Sequence, residues 1–264
     1  MLTMEKRAAA AQLLRTAERD RVPITPLVEL YPDIDVVDAY EIQLLNVRHR
    51  NRDVIGHKVG LSSLAMQQMM GVDEPDYGHL LDDMQLHGTA DASAYLFPRV
   101  EVEIAFLLGQ DLPGEGCTVA DVLAATEFVA PAIELIDSRI ADWRITLPDT
   151  IADNASSAAF VLGEDRVRPS EVDICAVEAT LTRNGEVVAT GRGDAVLGDP
   201  AIAVAWLAQK VATFGVRLLA GDIVLPGSCT RAIDARPGDA FRAEFGPLGE
   251  VRLQFAESTD GDVT

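Results

Sequence analysis

The sequence predicts an α+β fold, a mixed β-sandwich or roll with a helical N-terminal part. Two patterns point there. The first fifty residues carry two stretches of helical periodicity, separated by Val22-Pro23-Ile24-Thr25-Pro26. The second half consists of short apolar segments punctuated by Gly, Pro and Asn turns, with few helices between them. A third observation bounds the core: 264 residues with 48% hydrophobic content suffice for one large domain, or a main domain plus a smaller one. The expected division is a helical subdomain over 1–53 and a β-rich catalytic domain over 54–264.

Residues 3–21 predict a helix, because Ala8–Ala11, Leu13 and Leu14 have high helix propensity. Asp35 reads as the cap of a second helix over roughly 36–50, with Asp38 three residues on. Val37, Tyr40, Leu44 and Val47 form its apolar stripe, and Arg48, His49 and Arg50 suit its C-terminus. Val54–Leu61 is the first strand. Ser62-Ser63 then caps a short helix over Leu64–Met70, with Met66, Met69 and Met70 as core filler and Gly71 as its stop. Asp73–Leu81, which holds Pro75-Asp76-Tyr77-Gly78-His79, reads as a turn-rich loop. From Val100 to Leu108 the chain alternates: Val100, Val102, Ile104 and Phe106 point one way, Glu101, Glu103 and Ala105 the other.

Thr118–Phe128 predicts a helix capped by Thr118 and Asp121, and Ala130–Ile136 the next strand. Asp149–Ser157 reads as a polar loop before a strand over Ala158–Leu162. Cys175–Thr182 and Glu186–Thr190 flank Asn184-Gly185, a hairpin signal because both turn positions need positive φ. Asp199-Pro200 starts a helix that runs to about Phe214, where Gly215 stops it. Strands over Asp222–Leu225, Ala240–Phe245 and Gly249–Phe255 follow, and Glu257–Thr264 reads as a frayed acidic tail.

A net charge of −20 argues against nucleic acid as a partner, since a phosphate backbone needs a basic surface. It leaves room for a small anionic substrate, because one metal ion and a few local cations reverse the sign of a pocket. No apolar run spans a bilayer and no signal peptide is evident, so a cytoplasmic protein without membrane contact is expected. Cys117, Cys175 and Cys229 lack paired spacing and read as reduced thiols. Neither a dinucleotide-binding glycine motif nor a nucleophile elbow is present.

The chemistry concentrates in Pro98–Asp137. Glu101 and Glu103 share one strand face, and Glu134 lies in the apolar run Ala130–Ile136. A bare Glu-x-Glu is most often a solvated face. Buried, the three need positive compensation, and an oxygen-only donor set suits Mg²⁺ or Mn²⁺ better than Zn²⁺. Lys58, between Gly56 and Gly60, is either a lysine on an edge strand or a buried acid/base whose pKa burial lowers. His57 points to the opposite face and reads as structural. Asp76 and His79 could each handle protons, although a loop aspartate is usually a turn residue. Asn154, Ser156 and Ser157 offer amide and hydroxyl groups for a substrate carboxylate or a water.

These stretches resemble the 2-keto-4-pentenoate hydratases, in the hydratase/decarboxylase branch of the fumarylacetoacetate hydrolase superfamily. The matching segments are Gly56–Ser63, Gly71–Gly78, Pro98–Phe106, Ser138–Trp143, Ala152–Ser156 and Gly193–Trp206, in order along nearly the whole chain. The resemblance implies Mg²⁺ or Mn²⁺ held by Glu101, Glu103 and Glu134, with Lys58 and Asp76 as proton-transfer groups and Asn154, Ser156 and Ser157 lining the pocket. It implies hydration of 2-hydroxypenta-2,4-dienoate to 4-hydroxy-2-oxopentanoate in meta-cleavage catabolism. The apolar helix around Ala201–Ala212, together with the resemblance, suggests a homo-oligomer, and association with other enzymes of the pathway is a further expectation. Alternatives are 4-oxalocrotonate decarboxylase, a C–C hydrolase of the wider superfamily, and a non-catalytic binding subunit of the same fold. Trp143-Arg144-Ile145 and Asp149–Ser156 look more like hydratase than decarboxylase sequence, and intact Lys58, Glu101, Glu103 and Glu134 argue against a non-catalytic subunit.

Overall fold

The structure is a computed structural model that describes residues 1–63, 66–68 and 71–256. Parts of the expected Leu64–Met70 helix, with Met69 and Met70, and the whole acidic tail lie outside the described residues. Helices α1 (Met4–Asp20) and α3 (Val36–Arg50) pack together, joined through the single turn α2 (Leu27–Leu30). The Thr3 hydroxyl caps α1, and Asp35 and Asp38 form a reciprocal capping box on α3. The buried face of α3 differs from the expected stripe: it comprises Asp38, Ala39, Tyr40, Ile42 and Gln43, while Val37 is exposed. The Asp38 carboxylate accepts from the Leu2 N–H and the Arg7 guanidinium, each at 2.8 Å, and so turns the polar side of the helix inward.

Seven strands form the main sheet, in the order β2-β1-β9-β4-β5-β6 with the two-residue β10 on β4. They are β1 (Val54–Gly60), β2 (Asp76–Leu81), β4 (Arg99–Leu108), β5 (Thr126–Ile136), β6 (Ser157–Leu162), β9 (Ile223–Leu225) and β10 (Ile233–Asp234). The sheet curls until its edges meet. Gln85, just past β2, bridges Phe160 on β6, and the Leu86 N–H donates to the Phe160 carbonyl at 2.8 Å. The enclosed face is plugged by Leu80, Leu81, Met84, Ala105, Ala132, Phe160 and Leu225, which come from both edges and the middle of the sheet. The outer face carries Val59, Tyr77, Val100, Val102, Ile104 and Phe106 into a larger core shared with the helices and a second sheet. That sheet runs β3 (Thr89–Asp91), β12 (Glu250–Ala256), β11 (Ala240–Glu244), β7 (Glu178–Arg183), β8 (Glu186–Arg192). The β7–β8 hairpin turns at Asn184 and Gly185, with φ of 54° and 85°.

Several segments depart from expectation. Only residues 73–75 of the expected loop are irregular: Asp76–Leu81 is a fully buried strand antiparallel to β1. Gly78 is there for close approach rather than a turn, since a Cβ would sit 2.5 Å from the Asn154 carbonyl oxygen. The helix after Thr118 is α4 (Val119–Ala125), and Thr126 already opens β5. Asp149–Ser157 holds α5 (Leu147–Ala152) and a short turn, because the polar Asp149 is a buried capping residue that accepts from the Thr146 N–H and hydroxyl. Residues 174–176 form a 3₁₀ turn, so β7 begins only at Glu178. The apolar helix α6 (Pro200–Ala212) buries Ala201, Ala203, Val204, Leu207 and Val211 in the chain's own core, with Ile202 left exposed. Its apolarity therefore gives no reason for subunit pairing. Among the described residues no helix is long and apolar enough to cross a membrane.

Candidate active site

At one end of the rolled sheet, Glu101 and Glu103 on β4 meet Glu134 on β5, with Glu101 directly opposite Glu134. All three are buried, and one oxygen from each lies within 4.8 Å of the others. The Ser157 hydroxyl donates to Glu134 Oε1 at 2.7 Å, and the Gly227 N–H donates to Glu103 Oε2 at 2.7 Å. Glu103 Oε1 has no hydrogen-bond partner, and Glu134 Oε2 has only the Lys58 ammonium at 3.5 Å. Burial and mutual repulsion push the Glu103 carboxyl well above the usual carboxylate range and Glu101 up to about 7. Burial also raises Glu134, against the pull of Lys58 and Ser157. Three buried carboxylates against one ammonium leave an excess of negative charge that is costly without a further cation. The unpartnered oxygens and the all-oxygen donor set fit a hard divalent ion.

Lys58 lies on β1, between β2 and β9 in the sheet, so it is not on an edge strand. It is buried and donates to the Ala155 carbonyl at 3.0 Å. Burial pulls its pKa down, as expected, but Glu134, Asp76, Glu101 and Glu103 together outweigh burial and hold it above the ordinary lysine value. The expectation of a lowered pKa is corrected on this point: four carboxylates surround a single amine.

Asp76 opens β2, opposite Gly60. Its Oδ2 accepts the Thr150 hydroxyl at 2.6 Å, and its Oδ1 is buried without a partner. A Cβ at Gly60 would lie 2.2 Å from Asp76 Oδ1 and 3.0 Å from Lys58 Nζ, so both groups border the same notch. His79 is separated from Asp76. It alternates to the outer face, where its Nδ1 meets Gln43 Oε1 at 2.7 Å and its ring lies 5.0 Å from that of His57.

The turn between α5 and β6 completes the site. Asn154, Ala155 and Ser156 have φ of 56°, 50° and 56°, three successive left-handed residues without a glycine. Such backbone costs about 1–2 kcal/mol per residue. The surroundings enforce it. The Asn154 amide accepts from the His79 N–H at 2.8 Å and donates to the His79 carbonyl at 2.9 Å, and the Asp137 N–H donates to the Ser156 carbonyl at 2.8 Å. The product of the turn is an Ala155 carbonyl aimed at Lys58 and a buried Ser156 hydroxyl with no partner. Asn154 and Ser157 are thus already engaged by β2 and by Glu134, and Ser156 is the member of the trio with a free polar group. Behind the turn, Arg139 is buried against Asp153 and also donates to the carbonyls of Asp137 and Asp153. Sequence reasoning passed over Thr150, Arg139 and Gly227. The first two stand in polar segments that resemble loops, and the third acts through its backbone.

A curled sheet that gathers carboxylates for a hard cation defines the class, and the comparisons agree. Residues 84–256 match the family model described as the C-terminal region of fumarylacetoacetate (FAA) hydrolase. The chain belongs to the fumarylacetoacetate hydrolase family, in its group of 2-keto-4-pentenoate hydratases. It is 44% identical over 259 residues, 96% of each chain, to 2-keto-4-pentenoate hydratase of Paraburkholderia xenovorans. It is 43% identical over 256 residues to 2-oxo-hept-4-ene-1,7-dioate hydratase of Escherichia coli, covering 93% of this chain and 96% of that one. Among solved structures, 4-oxalocrotonate decarboxylase from Pseudomonas putida G7, complexed with magnesium and adipate, superposes with a TM-score of 0.93 at 35% identity, covering 97% and 99% of the two chains.

Proposed function

We propose that the protein is a divalent-metal-dependent hydro-lyase that converts 2-hydroxypenta-2,4-dienoate to 4-hydroxy-2-oxopentanoate in meta-cleavage catabolism of aromatic compounds. The observation that carries this reading is the buried Glu101–Glu103–Glu134 cluster with Lys58 and Asp76 at its edge. Glu101, Glu103 and Glu134 would hold Mg²⁺ or Mn²⁺, which would supply the positive charge that polarises the C2 oxygen of a 2-oxo acid. The remaining work falls to the chain. The Ser156 hydroxyl is buried without a partner, next in the chain to the carbonyl that accepts from Lys58, and suits the substrate carboxylate or the water. Lys58 and Asp76 border one notch and move the protons: one leaves the C2 hydroxyl, one enters C5, and water then adds OH at C4 and H at C3. The plug of Phe160 and its neighbours keeps bulk water from the far side.

The test is turnover of the dienoate by Mn²⁺-loaded protein, followed by loss of its ultraviolet absorbance and by NMR of the product. A Glu101→Gln, Glu103→Gln double variant should lose both Mn²⁺ binding and turnover, and full retention of both would sink the metal assignment. A second reading, 4-oxalocrotonate decarboxylase, is supported by the superposition at a TM-score of 0.93. CO₂ release from 4-oxalocrotonate without hydration of the dienoate would favour it. Assembly into a cytoplasmic homo-oligomer, with contacts to other enzymes of the pathway, belongs to the same proposal on the family resemblance, and light scattering tests the subunit number.

A further inference from the structure

We infer that Thr150 is a positioning residue that makes Asp76 a one-sided proton carrier. This rests on the hydratase reading, in which Asp76 moves protons. The Asp76 carboxylate is buried, and its two oxygens have opposite fates: Oδ2 accepts the Thr150 hydroxyl at 2.6 Å, while Oδ1 is unpartnered and faces the notch at Gly60 that Lys58 also borders. A helical threonine ordinarily returns its hydroxyl to a carbonyl of its own helix. Thr150 instead reaches from α5 across to β2. Its own placement is fixed, since its N–H donates to the Thr146 carbonyl at 3.0 Å and the residue is 1% exposed.

The register between the two elements is fixed beside the pair. A single amide, Gln43 Nε2, donates both to the Tyr77 carbonyl at 2.9 Å and to the Ile151 carbonyl at 2.6 Å. Tyr77 follows Asp76 and Ile151 follows Thr150, so α3 locks together the neighbours of both partners. With Oδ2 tied, a proton that Asp76 takes up or gives away passes through Oδ1, on the side of the reacting carbons. Without the hydroxyl, the carboxylate is free to rotate and present either oxygen.

The experiment uses full-length, Mn²⁺-loaded protein and compares Thr150→Val, which keeps the shape and loses the hydroxyl, with Thr150→Ser, which keeps the hydroxyl. Two proton-transfer readouts are followed: kcat and KM on the dienoate, and exchange of the C3 hydrogens of 2-oxopentanoate in D₂O by NMR, which needs no water addition. Thr150→Val should lower kcat and the exchange rate in parallel by about 10- to 100-fold, with KM within about twofold and Mn²⁺ affinity unchanged. Thr150→Ser should retain most of both rates. The inference is overturned if Thr150→Val keeps both rates within twofold. It is equally overturned if kcat and Mn²⁺ affinity fall while KM rises and serine restores none of them, because that pattern marks a merely structural threonine. Should Thr150→Val not fold, Thr150→Ala against Thr150→Ser gives the same comparison. Wild-type protein that neither hydrates the dienoate nor exchanges the C3 hydrogens removes the hydratase reading and this inference with it, whereas active wild type with an indifferent Thr150→Val removes this inference alone.

Discussion

At the scale of single residues, the site is a problem of charge. Glu101, held at about 7, and Glu103, held well above the usual carboxylate range by burial and by Glu134 and Glu101, bind protons more tightly in the folded chain than in the unfolded one. The metal-free protein is therefore stabilised as the pH falls through 7, while protons compete with the cation for the same oxygens. Mn²⁺ affinity, read by calorimetry or electron paramagnetic resonance, should weaken steadily below pH 7, and an affinity flat between pH 7 and 5 would contradict a carboxylate site. The three ligand candidates were legible in the sequence because carboxylates in apolar strands demand a reason, and Lys58 because two glycines flank it. The direction of the Lys58 shift was not legible, since it depends on four acids brought in from three other strands.

At the scale of elements, the hidden feature was the left-handed turn after α5. Nothing in Asp153-Asn154-Ala155-Ser156 signals three successive positive φ values; only Asn tolerates that region well, and the rest is imposed by β2. Asn154→Ala removes both bonds to His79 and leaves alanine in a conformation it disfavours, which should cost about 2–4 kcal/mol in urea unfolding. Turnover should fall with it, because the Ala155 carbonyl loses its aim at Lys58. A loss of stability below about 0.5 kcal/mol would show that the turn is not held this way. Strand β2 was hidden for a related reason. Pro75, Asp76 and Gly78 are turn residues by composition, but here the aspartate is buried against Thr150 and the glycine admits a crossing backbone. By contrast, the capped helices α1 and α3 follow from local chemistry and keep their expected limits within a residue, and the hairpin turns at Asn184-Gly185 as expected, although its first strand begins three residues after Cys175.

At the scale of the molecule, the helices and the roll meet over buried histidines. Burial pushes His79 down to about 4, and burial with the nearby His79 holds His57 well below its ordinary value. Both are therefore neutral in the folded chain. Their contribution is present above the unfolded value near 6.5 and is lost as the pH falls through 4, about 3 kcal/mol for His79 alone at pH 4. Between pH 7 and 4 the wild type should lose about that much more stability than His79→Gln in urea titrations; equal losses would mean that His79 already titrates freely in the folded state. The α+β class, the helical beginning and the strand-rich remainder were readable from composition and periodicity. The closure of the sheet was not, because the contact of Gln85 and Leu86 with Phe160 joins segments about seventy-five residues apart with no local signature.

That closure makes the roll a blind alley. Its seam is shut beside Phe160, hydrocarbon fills much of its enclosed face, and the three carboxylates lie buried on that same face. A closed seam and a plugged interior leave few routes to those carboxylates. Under the proposed function, an ion held by the three carboxylates would be seated before the organic acid and released after the product, so ligand-bound protein should lose Mn²⁺ to a chelator more slowly than free protein.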